Sequence, residues 1–173
     1  MNFEMHCERQ AYAEVLEHEV KKVVRMLRAF PVERFEQCDA ECARSARELA
    51  GEFVAHVHGI EEITYGRIAA SGASSSRTRG GIMLELETAA MGASAALMTL
   101  SAARWGDVMQ APAALTPWRQ ARRSELLWLA LREMVRHDRH FALHLRAARH
   151  DGDGGPRRAA PTPEPIDTVA VGA

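Results

Sequence analysis

"RRSELLWLALREMVRHDRHFALHLR", residues 122–146, decides the fold. Leu127, Ala130, Met134, Phe141 and Leu145 return every three or four positions, the period of an α-helix that buries one stripe. The pattern predicts a helix from about Ser124 to Ala148. Within it, "REMVRHDRHFALHLR" (132–146) concentrates three histidines and a glutamate. An α-helix advances about 100° per residue, so with Glu133 at zero, His137, His140 and His144 fall at about +40°, −20° and +20°. The four make one polar stripe along the edge of the apolar face, and Asp138 and Arg139 are expected to point away from it.

Three more segments share this period. From about Phe3 to Phe30, Tyr12, Val15, Leu16, Val20, Val23 and Leu27 recur with Glu and Lys between them, and Pro31 ends the run. A second helix opens at Ser45 and Glu48, an S-x-x-E capping box, and runs to about Ala70. "SGASSSRTRGG" (71–81) breaks the chain. A third helix, about Ile82 to Ala103, is rich in alanine, which permits close helix approach, and in methionine, which reads as adaptable core. "RWGDVMQAPAALTPW" (104–118) is irregular, with room for a short extended piece. Four helices of roughly 22 to 27 residues with no convincing strand predict an all-α four-helix bundle. The bundle domain is placed at 1–150 and a flexible Gly- and Pro-rich tail, expected to be disordered, at 151–173.

At 173 residues with 47% apolar content, one domain with a real core is expected. Twenty-two Lys and Arg against 23 Asp and Glu leave no basic footprint for nucleic acid, and no reader motif is present. The arginines are scattered among acids and read as solvated helix faces. No run of about 18 apolar residues exists to span a membrane. "MNFEMHCERQ" lacks the apolar region of a signal peptide, so the expected location is cytoplasmic. Cys38 and Cys42 form C-x3-C, which matches neither a zinc ribbon nor a C-x-x-C redox motif; with Cys7 they read as reduced thiols.

On the second helix, with Glu52 at zero, His56 lies at about +40° among Leu49, Phe53, Ile60 and Ile63, while His58 is nearly opposite and expected to face water. A histidine on an apolar face needs a carboxylate, a carbonyl or a metal as partner. Glu52, one turn back, is near enough to serve. Three i,i+4 pairs result: Glu52 with His56, Glu133 with His137, and His140 with His144. Such pairs converge on an ion when a second helix completes the set. Mixed nitrogen and oxygen donors suit Zn, Ni, Fe or Mn without choosing among them. The plainer reading makes each histidine a solvated or hydrogen-bonded group.

The order of features resembles the DinB-like (YfiT-like) proteins over about residues 3–150. "RRSELLWLALREMVRHDRHFALHLR" resembles that family's last bundle helix, which carries two metal-binding histidines four residues apart. "SARELAGEFVAHVHGIEEITYGRI" (45–68) resembles its second helix, which supplies a third. The resemblance implies an up-down-down-up bundle, a homodimer and a divalent metal near the axis. It also implies, for some members, a thiol-dependent S-transferase, isomerase or hydrolase chemistry on small molecules, with a low-molecular-weight thiol as partner. His137 falls on one ligand position. The position four residues earlier is Glu133, and the second-helix position falls at Glu52, with His56 one turn on. Two functions follow as expectations: a metal-binding protein using His56, His137, Glu133, Glu52, His140 and His144, or a non-enzymatic helical dimer whose metal site has degenerated into an interaction or stress-related protein.

Overall fold

The computed structural model describes residues 3–38, 44–66, 76, 78–111 and 120–153. Helix α1 (Phe3–Ala29) is followed by a 3-10 turn (Val32–Arg34) after Pro31, then α2 (Ala46–Tyr65), α3 (Arg79–Thr99), a short α4 (Ala102–Gly106), strands β1 (Val108–Gln110) and β2 (Gln120–Arg122), and α5 (Arg123–Asp153). The Ser45–Glu48 capping box forms on both sides: the serine hydroxyl accepts from Glu48 N and the Glu48 carboxylate accepts from Ser45 N. Helix α2 stops at Tyr65 because Gly66 takes a left-handed conformation (φ 69°), earlier than its period suggests; 67–70 lie outside the described residues. Helix α3 starts three residues before Ile82, capped by Thr78, and stops at Thr99, where Leu100 turns extended. The short extended piece allowed for in 104–118 forms as β1, and Gln120–Arg122, just past that stretch, adds a partner strand. β1 and β2 pair antiparallel with Met109 opposite Ala121, a two-stranded ribbon that leads directly into α5.

Cross-helix contacts fix the direction of each long helix. Arg79 bonds the carbonyl of Phe30, and Ser94 donates to Glu17, so α3 descends as α1 rises. His58 meets Glu85 and Gly92 approaches Glu61, so α2 and α3 are parallel. Glu52 meets His137 while Ile63 meets Arg123, so α2 and α5 are antiparallel. Lys22 meets Asp138, and Ala29 lies near Arg146, so α1 and α5 are parallel. The order is up-down-down-up, with α1 and α2 on opposite corners.

The core takes Leu16, Val23 and Leu27 from α1, Phe53, Val57 and Ile60 from α2, Leu86, Ala93 and Leu97 from α3, and Leu127, Met134 and Phe141 from α5. The α3 alanines 89, 90, 93 and 96 are buried, as close approach requires. Its methionines are not core: Met91 and Met98 are exposed, and only Met83 packs against the interior. Val15 of α1 is also exposed. Two arginines depart from the solvated pattern, Arg9 and Arg123, both buried. Among the described residues no helix is long and apolar enough to cross a membrane.

Candidate functional site

The antiparallel contact of α2 with α5 sets one turn of each against the other. His137 Nε2 lies 2.8 Å from Glu52 Oε2 and donates to it, since a carboxylate only accepts. The other oxygen of Glu52 accepts from Arg44 Nη1 at 2.5 Å. In the neutral imidazole that hydrogen bond places the lone pair on Nδ1, and Nδ1 is buried without a hydrogen-bond partner. The His137 ring sits 5.1 Å from the ring of His56 and 6.5 Å from that of Phe53.

His56 is half-buried, and burial pushes its pKa below the ordinary histidine value; the neighbouring His137 pushes the same way, against Glu133 and Glu52. It is therefore a neutral imidazole near neutral pH. Glu52 partners His137 and Arg44 in this arrangement. Glu133 is half-buried, with its carboxylate 2.7 Å from Arg136 Nη2 and 3.4 Å from Arg132 Nη2.

Of the six sequence-derived candidates, the fold brings Glu52, His56 and His137 together, with Glu133 within electrostatic reach of His56. His140 is exposed and His144 buried; at 1.5 Å rise per residue they sit roughly 5 and 10 Å further along α5. As the side chains stand, no group of three or more His, Cys, Asp or Glu among the described residues is disposed to hold a metal ion. Cys7 and Cys38 are exposed free thiols, and Cys42 lies outside the described residues.

Two expectations are corrected. Asp138 does not point away from the core: it is wholly buried against α1, where Lys22 Nζ bonds its Oδ2 and its Oδ1 has no hydrogen-bond partner. Beside it, Glu19 is buried, with Oε2 3.6 Å from Lys22 Nζ; burial, and then the charge of Asp138, raise its pKa. His58 is only partly exposed rather than turned fully to water. Its Nδ1 is 3.2 Å from Glu61 and its Nε2 3.4 Å from Glu85 of α3, so it ties the two parallel helices together. His58 is reached because α2 packs against both α3 and α5 and so covers a face wider than one stripe.

No family model matches the chain, and no curated protein matches it by sequence. Among solved structures it is similar to the crystal structure of a DinB-like protein, YjoA, from Bacillus subtilis. The TM-score is 0.60, over 79% of this chain and 92% of that one, at 16% sequence identity. The fold is DinB-like. In this bundle α2 lies beside α5, and that contact joins Glu52 and His56 to His137. What the fold supplies is the juxtaposition; the donors at this corner are this chain's own.

Proposed function

We propose that the corner formed by Glu52, His56, Glu133 and His137 binds a divalent transition ion, in a DinB-like protein acting on small molecules in the cytoplasm. The observation that carries this reading is His137: Nε2 is held on a carboxylate while Nδ1 is buried without a partner, next to a neutral His56. A carboxylate on the far nitrogen is how metal-bound imidazoles are commonly oriented and made more basic. The donor chemistry fits a borderline ion such as Zn, Ni, Fe or Mn. His137 and His56 would be the nitrogen ligands and Glu133 the oxygen ligand once it leaves Arg136. Glu52 would hold His137 in its tautomer. Such an ion supplies Lewis-acid activation of a bound water or low-molecular-weight thiol. Elemental analysis after purification in metal-supplemented medium is expected to find about one ion per chain, lost in His56→Ala/His137→Ala and weakened about 10-fold or more in Glu52→Gln. Far less than one ion per chain in the unaltered protein sinks the reading.

A second reading has its own support. Arg44 on Glu52 and Arg136 on Glu133 already satisfy both carboxylates. On that reading the corner is a hydrogen-bonded remnant and the bundle works as an interaction protein. Metal content decides between them. For either, we propose a homodimer. Leu84, Met91 and Met98, exposed at seven-residue spacing on α3, form an apolar seam of the kind helices pair through.

A further inference from the structure

The parallel seam between α1 and α5 opens near its end into a groove of about 430 Å³, within the roughly 300–1,000 Å³ typical of small-molecule sites. Its floor is apolar: Met26 and Ala29 from α1, Ala142 and Leu145 from α5. Among the described residues its charged walls are all basic, with Lys22 and Arg25 on α1 and Arg146 on α5, and no carboxylate lines it. Lys22 is committed to Asp138 beneath, which leaves Arg25 and Arg146 as the cations on opposite walls.

That imbalance is local. The chain as a whole carries a net charge of −1. Yet the adjoining groove on the other flank of α1 is lined by His18, Lys21, Arg25 and Arg28 with one acid, Glu87, so Arg25 stands in a wider basic field. The terminal dipole of α1 explains a cation in its last turn, such as Arg28. It gives no reason for an arginine of another helix, Arg146, to line the same groove as Arg25.

We propose that this groove binds an amphipathic monocarboxylate, a medium-chain acyl acid, with its head between Arg25 and Arg146 and its tail on Met26, Ala29, Ala142 and Leu145. Guanidinium groups pair with carboxylates through charge-assisted and often bidentate hydrogen bonds. The alkyl tail gains from leaving water in proportion to the apolar area covered. The pairing is independent of the α2–α5 corner, so it stands or falls without the metal reading.

Isothermal titration of the full chain, kept in chelator to remove metal, tests it with three probes: octanoate, octylammonium and acetate. Octanoate is expected to bind at one site per chain, with octylammonium and acetate each weaker by about tenfold or more. Arg25→Gln/Arg146→Gln should weaken octanoate by about tenfold with an unchanged circular dichroism spectrum, while Arg25→Lys/Arg146→Lys, which keeps both charges but not the planar fork, should lose clearly less than the glutamine pair. Octylammonium binding as tightly as octanoate, or octanoate affinity unmoved by the glutamine pair, overturns the proposal. So does the absence of any saturable octanoate heat.

Discussion

Replacing Arg123 by methionine should destabilise the protein by about 3–5 kcal/mol, and the figure follows from the end of α2. A helix leaves its last four carbonyls without intrahelical donors. Here Gly66 N donates to Glu62 O at 2.8 Å, Arg123 Nη1 donates to Ile63 O at 2.7 Å and Thr64 O at 2.9 Å, and Arg104 Nη2 donates to Tyr65 O at 2.7 Å. Arg123 Nε also donates to Arg104 O at 2.8 Å, joining α4 to the same knot. Its side chain is only 5% exposed, so water cannot readily replace it. Methionine keeps most of the volume and removes three hydrogen bonds from a charged donor. A buried acceptor left unsatisfied costs about 1–3 kcal/mol, and loss of a cation at a helix C-terminus adds about 0.3–1 kcal/mol. Against a total stability of about 5–15 kcal/mol, this is large. Urea unfolding followed by circular dichroism should show the midpoint falling by about 2 M if m is about 2 kcal/mol/M and unchanged. Arg123→Lys, with one ammonium for the same carbonyls, should recover roughly half of the loss. Arg104→Ala, on an exposed side chain with one such bond, should cost about 1 kcal/mol or less. A loss below about 1 kcal/mol for Arg123→Met refutes the claim that this residue closes α2 onto α5.

Two further outcomes are expected. Glu19 has a pKa raised in the folded state, so its contribution is fully present below the unfolded value and is lost as pH rises through the folded one. Glu19→Gln removes that penalty and offers an amide donor near the unpartnered Asp138 Oδ1, so it should stabilise the protein by about 1 kcal/mol at pH 8 and by little at pH 4; a lower melting temperature at pH 8 contradicts this. Leu84→Glu/Met91→Glu should convert a dimer to a folded monomer by light scattering on a sizing column, and an unaltered mass places the homodimer contact elsewhere.

The bundle was legible because its signals were redundant. Period, capping box and proline punctuation all agreed for α1 and α2, and burying one stripe per helix is what period reports. The order of the helices was legible only through the resemblance, since periodicity says nothing of direction. The β1–β2 ribbon was hidden for another reason. Each strand has three residues with an exposed–intermediate–exposed pattern, too short for alternation to register against glycine and proline. Arg122 and Arg123 show a sharper limit. They are adjacent and alike in sequence, but one is exposed and the other closes the end of a helix more than fifty residues away. Which of two arginines is buried depends on where Ile63 and Thr64 end up, a tertiary fact.

The misreading of Asp138 is different, because the geometry to avoid it was available. At about 100° per residue from Glu133, Asp138 falls at about 140°, some 20° from Leu127 and Leu145, on the apolar face. Burial of Asp138 needed a cation from another helix, and Lys22 provides it. The same wheel correctly set His137 beside the buried face. Taken together, the two residues divide α5 at adjacent positions: His137 turns to α2 and its carboxylate, Asp138 to α1 and its lysine. A polar residue at the border of an apolar stripe is thus informative in proportion to the chemistry it demands of its neighbour. His137 demands more than Glu52 supplies, because one of its nitrogens is buried and unanswered. That unmet demand, rather than the number of histidines in the sequence, is the physical reason to look for an ion at this corner.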